Sequence, residues 1–464
     1  MPADLHYLSL DEVARRLKAR QLSSVEATRS MLDRIAEVDP VLKSYATVTA
    51  DRALADAARL DAETAAGTSR GPLHGVPVAV KDLCSTAGVA TAAGMAIHRS
   101  NVPAKDATVV ARLRQAGAVI LGKLQMTEGA YGAHHPTIPA PLNPWNASYW
   151  TGSSSSGSGA ATAAGLCFAS LGSDTGGSIR FPSTMNGLSG LKPTWGRVSR
   201  AGVFPLGESL DHIGPMARSA LDAALVLAVI AGADPDDPTA APQPVPDYTA
   251  AISSGVKGRR IGLPNNCRGL DSDSGRALAG AVEAFKKAGA EIVDIALPDN
   301  FFQASYDWVP LCSVEAAVAH AETYPARAAE YGPVLAGLLD TGLKLSGMDL
   351  QKLLLRRAAV KGDLDRLLAS VDLLLLPVME RAVWSLDALA AGGRDIEAVA
   401  GRLRYTAPLD MSGHPTLTLP GGMTRDGVPT GFQIAARAFD EASILAAGHA
   451  YQQATDWHLK RPPV

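Results

Sequence analysis

The sequence predicts an α/β protein, because short apolar strands and helical segments alternate along it. Val76–Val80 and Val119–Gly122 are apolar runs bounded by glycine or proline, a pattern typical of buried strands. Thr108–Ala116 lies between them and has helical character, so the order is strand, helix, strand. With 464 residues, of which 47% are hydrophobic, the chain has ample material for a large core.

The N-terminal segment, residues 1–65, is predicted to be helical. Ser23 and Glu26 have the spacing of a capping box, in which each side chain satisfies a backbone N–H group of the other residue. Apolar residues then recur at helical spacing as far as Pro40. We expect the helix to end there, because proline lacks the N–H group that a helix interior requires.

The central part of the chain alternates glycine-rich loops with apolar segments. The section 134–150 is predicted to be a long loop, and loops of this length in a compact protein are usually functional. Ala160–Gly172 is small and apolar, which predicts a helix packed against a sheet. Ala223–Ala231 predicts a buried helix, since it has about half the length that a bilayer crossing requires. The proline-rich section 233–255 is predicted to be a surface connection.

The C-terminal part, residues 256–464, continues the alternation of strands and helices. Within it, the section 301–400 is predicted to be mostly helical. The predicted strands are Arg260–Leu263, Glu291–Ile295, Val371–Pro377, Leu417–Leu419 and Gly431–Ala435, and the predicted helices include Arg276–Ala288 and Asp440–Thr455.

Charge and cysteine content argue against several classes of protein. The formal net charge is −3, which gives no electrostatic reason to bind nucleic acid or an anionic membrane. The four cysteines are widely separated and form no metal-ligand pattern, which is typical of reduced thiols. The first residues are acidic, whereas a signal peptide needs a basic end. We therefore expect a cytoplasmic protein without a nucleic-acid or membrane partner and without a metal.

Three segments concentrate residues that could carry chemistry. They are a strand that ends in Lys81, the serine-rich run Gly152–Gly159, and Gly172–Arg180, in which two glycines precede Ser178. Each segment also has a purely structural interpretation: a surface lysine, a flexible linker and a glycine turn. The linker interpretation is weak, because the serine run leads directly into the apolar segment at Ala160. Two glycines before a serine also let successive N–H groups point at one ligand atom, as in an oxyanion hole.

A single site with a serine nucleophile would explain all three segments. A serine hydroxyl is a weak nucleophile until a base removes its proton, and the sequence has no GxSxG motif. A lysine can serve as that base if burial lowers its pKa from about 10.4 towards 7–8. The carboxylate of Asp82 would oppose this shift, so we expect it to point away from Lys81. A serine of the run 153–156 could relay the proton.

In combination, these motifs resemble the amidase signature family, and the resemblance covers nearly the whole chain. The matching segments are Leu73–Asp82, the two serine- and glycine-rich segments, Ser189–Thr194, Ser209–Pro215, Pro415–Pro420, Phe439–Glu441 and Asp456–Trp457. The resemblance implies a single α/β domain over residues 1–464, with a mixed sheet of about eleven strands covered by helices. It places the catalytic core within 70–235, and we expect the helices of 301–400 to cover the pocket.

The resemblance also implies roles for individual residues in an amide-hydrolysing reaction without metal or organic cofactor. Lys81 would be the base, Ser154 the bridging serine after a cis peptide, and Ser178 the nucleophile. The oxyanion hole would consist of the N–H groups of Thr175, Gly176, Gly177 and Ser178. Because Ser153 and Ser156 stand where the family usually has glycine, the register of the serine run stays open, and Ser153 or Ser155 could be the relay.

Further residues are candidates for supporting roles. Ser155 would be a hydrogen-bonding neighbour of the relay, and Asp174 and Arg180 are expected to anchor the turn through charge-assisted hydrogen bonds. Tyr131, Trp145, Trp150 and Phe181 could line a pocket or simply pack.

The related glutamine amidase subunits of tRNA-dependent amidotransferases carry glutamine at the position of Phe181. Phenylalanine there favours a stand-alone hydrolase of a small apolar amide or anilide. Three alternatives stay open: a hydrolase of carbamates or esters, the glutamine amidase subunit of a tRNA-dependent amidotransferase, and a non-catalytic binding protein on the same scaffold. The chain could also form a homodimer.

Overall fold

One eleven-stranded sheet organises the protein. The computed structural model describes residues 5–393 and 395–464, so residues 1–4 and 394 of the predicted helical segments lie outside the described residues. The strands are β1 Tyr45–Val48, β2 Pro77–Lys81, β3 Val119–Leu124, β4 Ala169–Asp174, β5 Ser189–Lys192, β6 His212–Ala217, β7 Arg260–Pro264, β8 Glu291–Ile295, β9 Leu373–Pro377, β10 Thr416–Met423 and β11 Pro429–Ala435.

The sheet is mixed, with the strand order β1-β3-β2-β4-β6-β5-β10-β11-β9-β7-β8. β2 runs parallel to both β3 and β4, and β7 runs parallel to β8 and β9. Each successive pair within the run β4-β6-β5-β10-β11-β9 is antiparallel, and so is the pair β1–β3 at the edge of the sheet. The predicted α/β class with a mixed sheet of about eleven strands is confirmed.

Helices flank the sheet and supply most of the remaining core. They are α1 Leu10–Lys18, α2 Ser24–Leu42, α3 Ala50–Ala65, α4 Thr108–Gln115, α5 Ser156–Ala163, α6 Arg180–Asn186, α7 Ala220–Ile230, α8 Tyr248–Ala251, α9 Ser272–Lys287, α10 Asp299–Ala319, α11 Pro333–Gly342, α12 Gly347–Ser370, α13 Leu386–Ala391, α14 Ile396–Leu403, α15 Ala407–Met411 and α16 Glu441–Ala454. Short 3₁₀ turns are Leu5–Tyr7, Ala96–His98, Glu128–Ala130, Ile252–Ser254, Ala328–Glu330 and Trp457–Leu459. Within the described ranges, no helix is long and apolar enough to cross a membrane.

Three predictions about helices need correction, and the first is that residues 1–65 are all helical, because the edge strand β1 Tyr45–Val48 lies between two helices of this segment. The capping box of Ser23 and Glu26 is present, but α2 passes through Pro40 and ends at Leu42. Pro40 lies in the last turn, where the helix can end soon after the missing N–H group. The predicted helix from Ala160 to Gly172 is only half correct, because α5 ends at Ala163 and β4 begins at Ala169.

The centre of the sheet brings the predicted chemical segments together. β2 and β4 are parallel, with Ala79 opposite Ser170 and Val80 opposite Leu171. Their carboxyl ends therefore meet at the same edge of the sheet, and each leads into one of the candidate segments. The fully buried helix α5 packs against β4 and α6, which sets the serine-rich run beside this edge. The core of the fold thus supports three chain segments that are remote in sequence.

Candidate active site

Lys81 is the last residue of β2, and its side chain is completely buried. Its Nζ donates hydrogen bonds to Ser154 Oγ at 2.7 Å and to Ser173 Oγ at 2.8 Å. Burial lowers the pKa of Lys81 from 10.5 to about 7, because desolvation disfavours the ammonium form. A large fraction of this amine is therefore neutral near pH 7 and able to accept a proton.

Asp82 points away from Lys81, as expected from the sequence. Its Oδ1 lies 3.6 Å from the buried amine of Lys123, and its Oδ2 accepts a hydrogen bond from the Ala92 N–H at 3.0 Å. Burial raises the pKa of Asp82 to about 6, although the Lys123 charge acts against this rise. The second buried lysine thus pairs with the carboxylate that would otherwise stabilise protonated Lys81.

The serine-rich run contacts both neighbouring segments. Ser154 contacts Lys81, whereas the hydroxyls of Ser155 and Ser156 have other partners, and the peptide bond between Ser153 and Ser154 is cis. Ser155 Oγ donates to the Ser173 carbonyl at 3.1 Å and accepts from the Ser173 N–H at 3.2 Å. The Ser155 N–H also donates to the Ser178 carbonyl at 3.3 Å. These bonds tie the run to β4 and to the turn that follows it.

Ser178 lies on the turn between β4 and α6, and it is half-buried among fully buried neighbours. The Asp174 carboxylate organises this turn by accepting from the N–H groups of Gly177 at 2.6 Å, Ile179 at 2.9 Å and Arg180 at 3.2 Å. Gly177 has a φ of 138°, and a Cβ there would lie 2.5 Å from the Phe181 ring. Only glycine fits this position, so the turn can be tight enough to expose the Ser178 hydroxyl.

Two carbonyls of the turn accept hydrogen bonds from side chains of distant segments. Trp308 Nε1 donates to the Thr175 carbonyl at 2.7 Å, and Thr406 Oγ1 donates to the Gly176 carbonyl at 2.6 Å. Among the described residues, no group accepts from the N–H of Gly176 or of Ser178. The expectation for Gly177 is corrected, since Asp174 already accepts from its N–H group.

Asp174 and Arg180 form a completely buried ion pair behind the turn. Arg180 also binds Asp410 and donates from Nη1 to the Thr406 carbonyl at 2.9 Å. Burial alone would raise the pKa of Asp174, but the charge and hydrogen bonds of Arg180 outweigh it and hold that pKa well below its ordinary value. The carboxylate therefore stays ionised and fixes the turn, in line with the anchoring role expected for both residues.

A cavity of about 650 Å³ opens in front of Ser178. Tyr131, Trp150 and Phe181 line it, and the rings of Trp150 and Phe181 are 5.8 Å apart. Trp145 does not belong to this lining; its Nε1 instead donates to the Asn186 carbonyl at the end of α6 at 3.0 Å. Of the two tryptophans of the loop, Trp150 thus lines the cavity, whereas Trp145 packs against the end of α6.

The outer wall of the cavity comes from the section 301–400 and the residues just after it. α10 contributes Trp308, α11 contributes Leu338, α13 contributes Leu389, and α14 contributes Val399. These side chains are apolar and lie more than a hundred residues from Ser178 in sequence. The helical section therefore lines much of the cavity in front of Ser178.

Several site residues were not singled out from the sequence. Ser173 contacts Lys81, and Trp308 and Thr406 hold the carbonyls of the turn. Asp211 accepts a hydrogen bond from Thr175 Oγ1 at 2.6 Å, and burial raises its pKa to about 6. Ser173 could have been found from its place beside Asp174 near the end of a strand. Trp308 and Thr406 carry no local signal, because only the tertiary fold brings them to the turn.

Comparison with known proteins agrees with this geometry. The family model described as Amidase matches residues 26–445 of the chain. The chain belongs to the amidase signature family. A relative from Mycobacterium tuberculosis, provisionally named amidase AmiD, is 49% identical over 98% of this chain and 96% of its own length. A glutamyl-tRNA(Gln) amidotransferase subunit from Geobacter sp. is 38% identical over 98% of this chain and 99% of its own length.

Solved structures of amidase signature enzymes share the whole fold. A bacterial aryl acylamidase of this family superposes with a TM-score of 0.89 at 25% identity, over 99% of this chain and 100% of that chain. The peptide amidase of Stenotrophomonas maltophilia superposes with a TM-score of 0.82 at 30% identity, over 99% of this chain and 98% of that chain. This amidase signature protein is therefore an enzyme that hydrolyses carbon–nitrogen bonds of amides.

Proposed function

We propose that this enzyme hydrolyses a small carboxylic amide or anilide with an apolar body, through an acyl-enzyme on Ser178. The observation that carries the proposal is the contact of 2.7 Å between the amine of Lys81 and the hydroxyl of Ser154. Burial lowers the pKa of Lys81 to about 7, so this contact joins a partly neutral base to a hydroxyl near the turn that carries Ser178.

The chemistry begins with a proton relay. Neutral Lys81 takes the proton of Ser154 as Ser154 takes the proton of Ser178, and the Ser178 oxygen bonds to the substrate carbonyl carbon. The N–H groups of Thr175, Gly176 and Ser178 bind the oxyanion, and in other hydrolases the loss of one such donor costs about 3–4 kcal/mol.

The same relay then runs in reverse. The carbon–nitrogen bond breaks, the leaving amine takes a proton from the relay, and water cleaves the acyl-enzyme. The final step returns the proton to Ser178 and releases the carboxylic acid. No group outside this chain, the substrate and water takes part in these steps.

The apolar cavity favours amides or anilides of an apolar acid or amine. Phe181 supports this choice over a glutamine substrate, because it presents an aromatic ring where the glutamine amidase subunits carry a polar side chain. Carbamates and esters would undergo the same acyl transfer, and a substrate screen separates them from amides. Homodimer formation and a cytoplasmic location remain predictions from the sequence.

Hydrolysis of an anilide by the purified protein alone tests the proposal. Ser178→Ala should abolish turnover while circular dichroism shows an unchanged fold. Ser313→Ala is a matched control, since that hydroxyl bonds within α10 to the Pro310 carbonyl, away from the cavity lining. Unchanged turnover in Ser178→Ala would disprove the nucleophile. Activity that requires added partner chains would indicate an amidotransferase component, and ligand binding without turnover would indicate a binding protein.

A further inference from the structure

The cavity in front of Ser178 is largely apolar, and one cation lines it among the residues that the structure describes. Arg402 lies on α14, on the face that also presents Ile396 and Val399 to the cavity. Their spacing of three residues puts these side chains on one side of a helix. Among the described residues that line the cavity, Arg402 is the one that carries a charge. A cation in an otherwise apolar site is a feature that substrate selection can use.

The guanidinium of Arg402 is held at the cavity wall. Its Nη1 and Nη2 both donate to the Gly393 carbonyl at 3.3 Å, and its central carbon lies 5.9 Å from the Trp384 ring centroid. A guanidinium has five N–H donors in a rigid, planar arrangement, so a carboxylate can bind to it beside a carbonyl that it already contacts. The bond to Gly393 already restricts the conformations of the Arg402 side chain. Less conformational entropy is therefore lost when a carboxylate binds.

Tyr131 supplies a second polar group to the same cavity. Within the described part of the chain, no residue donates to its hydroxyl or accepts from it. Burial raises the pKa of Tyr131 well above its ordinary value, and the charge of Arg402 opposes part of this rise. The hydroxyl is therefore a protonated donor, and it lies within the range at which the Arg402 charge acts. This hydroxyl is not fully enclosed by protein atoms, so an acceptor of a ligand can reach it.

We propose that Arg402 and Tyr131 together bind a carboxylate, so that the preferred amide carries an anionic group at the end remote from the scissile bond. The inference rests on the proposed function only in taking this cavity as the amide site. Two donors, one of them cationic, match a carboxylate, whose oxygens accept several hydrogen bonds. The apolar side chains that line the rest of the cavity would contact the hydrocarbon part of the substrate.

Binding to Ser178→Ala protein tests the inference without requiring turnover. Two ligands of similar size are compared by calorimetry: glutaric acid monoanilide, which ends in a carboxylate, and hexanoic acid anilide, which ends in a methyl group. We expect the glutaric anilide to bind at least about tenfold more tightly, because charge-assisted hydrogen bonds are the strong ones. Adding Arg402→Met should bring the ratio of the two dissociation constants to about one or reverse it.

Further variants separate recognition from a general effect on the fold. Arg402→Lys should keep an intermediate ratio, because it retains the charge and loses the planar donor pair. Tyr131→Phe should lower the ratio by about threefold to tenfold, the effect of one neutral donor. Arg381→Met is the matched control, since Arg381 is exposed and stacks on the same Trp384 ring at 4.8 Å but is not part of the cavity lining. Its ratio should equal that of the parent.

Equal or weaker binding of the glutaric anilide by the parent protein would overturn the inference, and so would an unchanged ratio in Arg402→Met. If Arg402→Met fails to fold, an unchanged ratio in both Arg402→Lys and Tyr131→Phe has the same meaning. Hydrolysis of hexanoic anilide by the intact enzyme tests the proposed function separately. Because binding is measured without the nucleophile, loss of the carboxylate preference and loss of amide hydrolysis are distinct results.

Discussion

A change of pH from 6 to 8 should raise kcat/KM for an anilide about tenfold, because it deprotonates Lys81. With a pKa of about 7, the neutral fraction of Lys81 is about 9% at pH 6 and about 91% at pH 8. Only the neutral amine accepts a proton, so activity rises with pH and reaches a plateau above the pKa. The assay is the initial rate of aniline release at low substrate concentration, measured at half-unit steps of pH.

Variants of buried titratable residues test which group causes the inflection in the pH profile. Lys81→Gln should lower kcat/KM by about 10²–10⁴-fold at pH 8, the usual contribution of a positioned base. Lys192 is a matched control, since burial lowers its pKa to about 7 as well, but its amine donates to the His414 carbonyl at 2.7 Å. The pH profile of kcat/KM for Lys192→Gln should keep its inflection near pH 7. The profile of Asp211→Asn should keep the same inflection.

A flat profile would refute this reasoning, as would an inflection near the ordinary lysine pKa of 10.5. Activity that falls between pH 6 and 8 would show that the protonated form of a group is required. An inflection that disappears in Lys192→Gln would show that Lys192, and not Lys81, is the titrating lysine.

Two further variants test the turn that carries Ser178. Asp174→Asn should lower the free energy of unfolding in urea by about 3–5 kcal/mol, because it removes a partner of the buried Arg180 charge; a loss below about 1 kcal/mol would contradict this. Gly176→Ala should lower kcat by about 10²–10³-fold, because its Cβ would lie 2.6 Å from the Trp308 ring and displace an oxyanion donor. Gly275→Ala, with open space at its Cβ, is the control and should keep full activity.

The parts of the fold that sequence predicts well have a local cause. Glu291–Ile295 is a strand with the predicted bounds, because its β-branched residues stand between a helix and a proline-containing loop. The capping box of Ser23 and Glu26 is likewise visible in four consecutive residues. The error at Ala160–Gly172 also has a local cause, since small apolar residues lack the alternation that distinguishes a strand from a helix.

The parts that sequence could not predict depend on contacts between distant segments. The hydrogen bond from Trp308 to Thr175 joins residues that are 133 positions apart, and no spacing rule relates them. Arg402 becomes part of the cavity only because α14 packs over the site. The contact between Lys81 and Ser154 also joins distant segments, but the family resemblance predicts it. Local sequence patterns do not. Physical reasoning from residues alone left the relay serine open.

Two separate stretches of chain build the proposed reaction centre and the wall that faces it. Lys81, Ser154 and Ser178 belong to residues 81–178, whereas much of the facing wall comes from residues 308–403. Mutations that accumulate in the helices α10 to α14 can therefore alter which molecules enter, while the proton-transfer groups remain untouched. This separation would let substitutions in one stretch change substrate preference without altering the residues of the other.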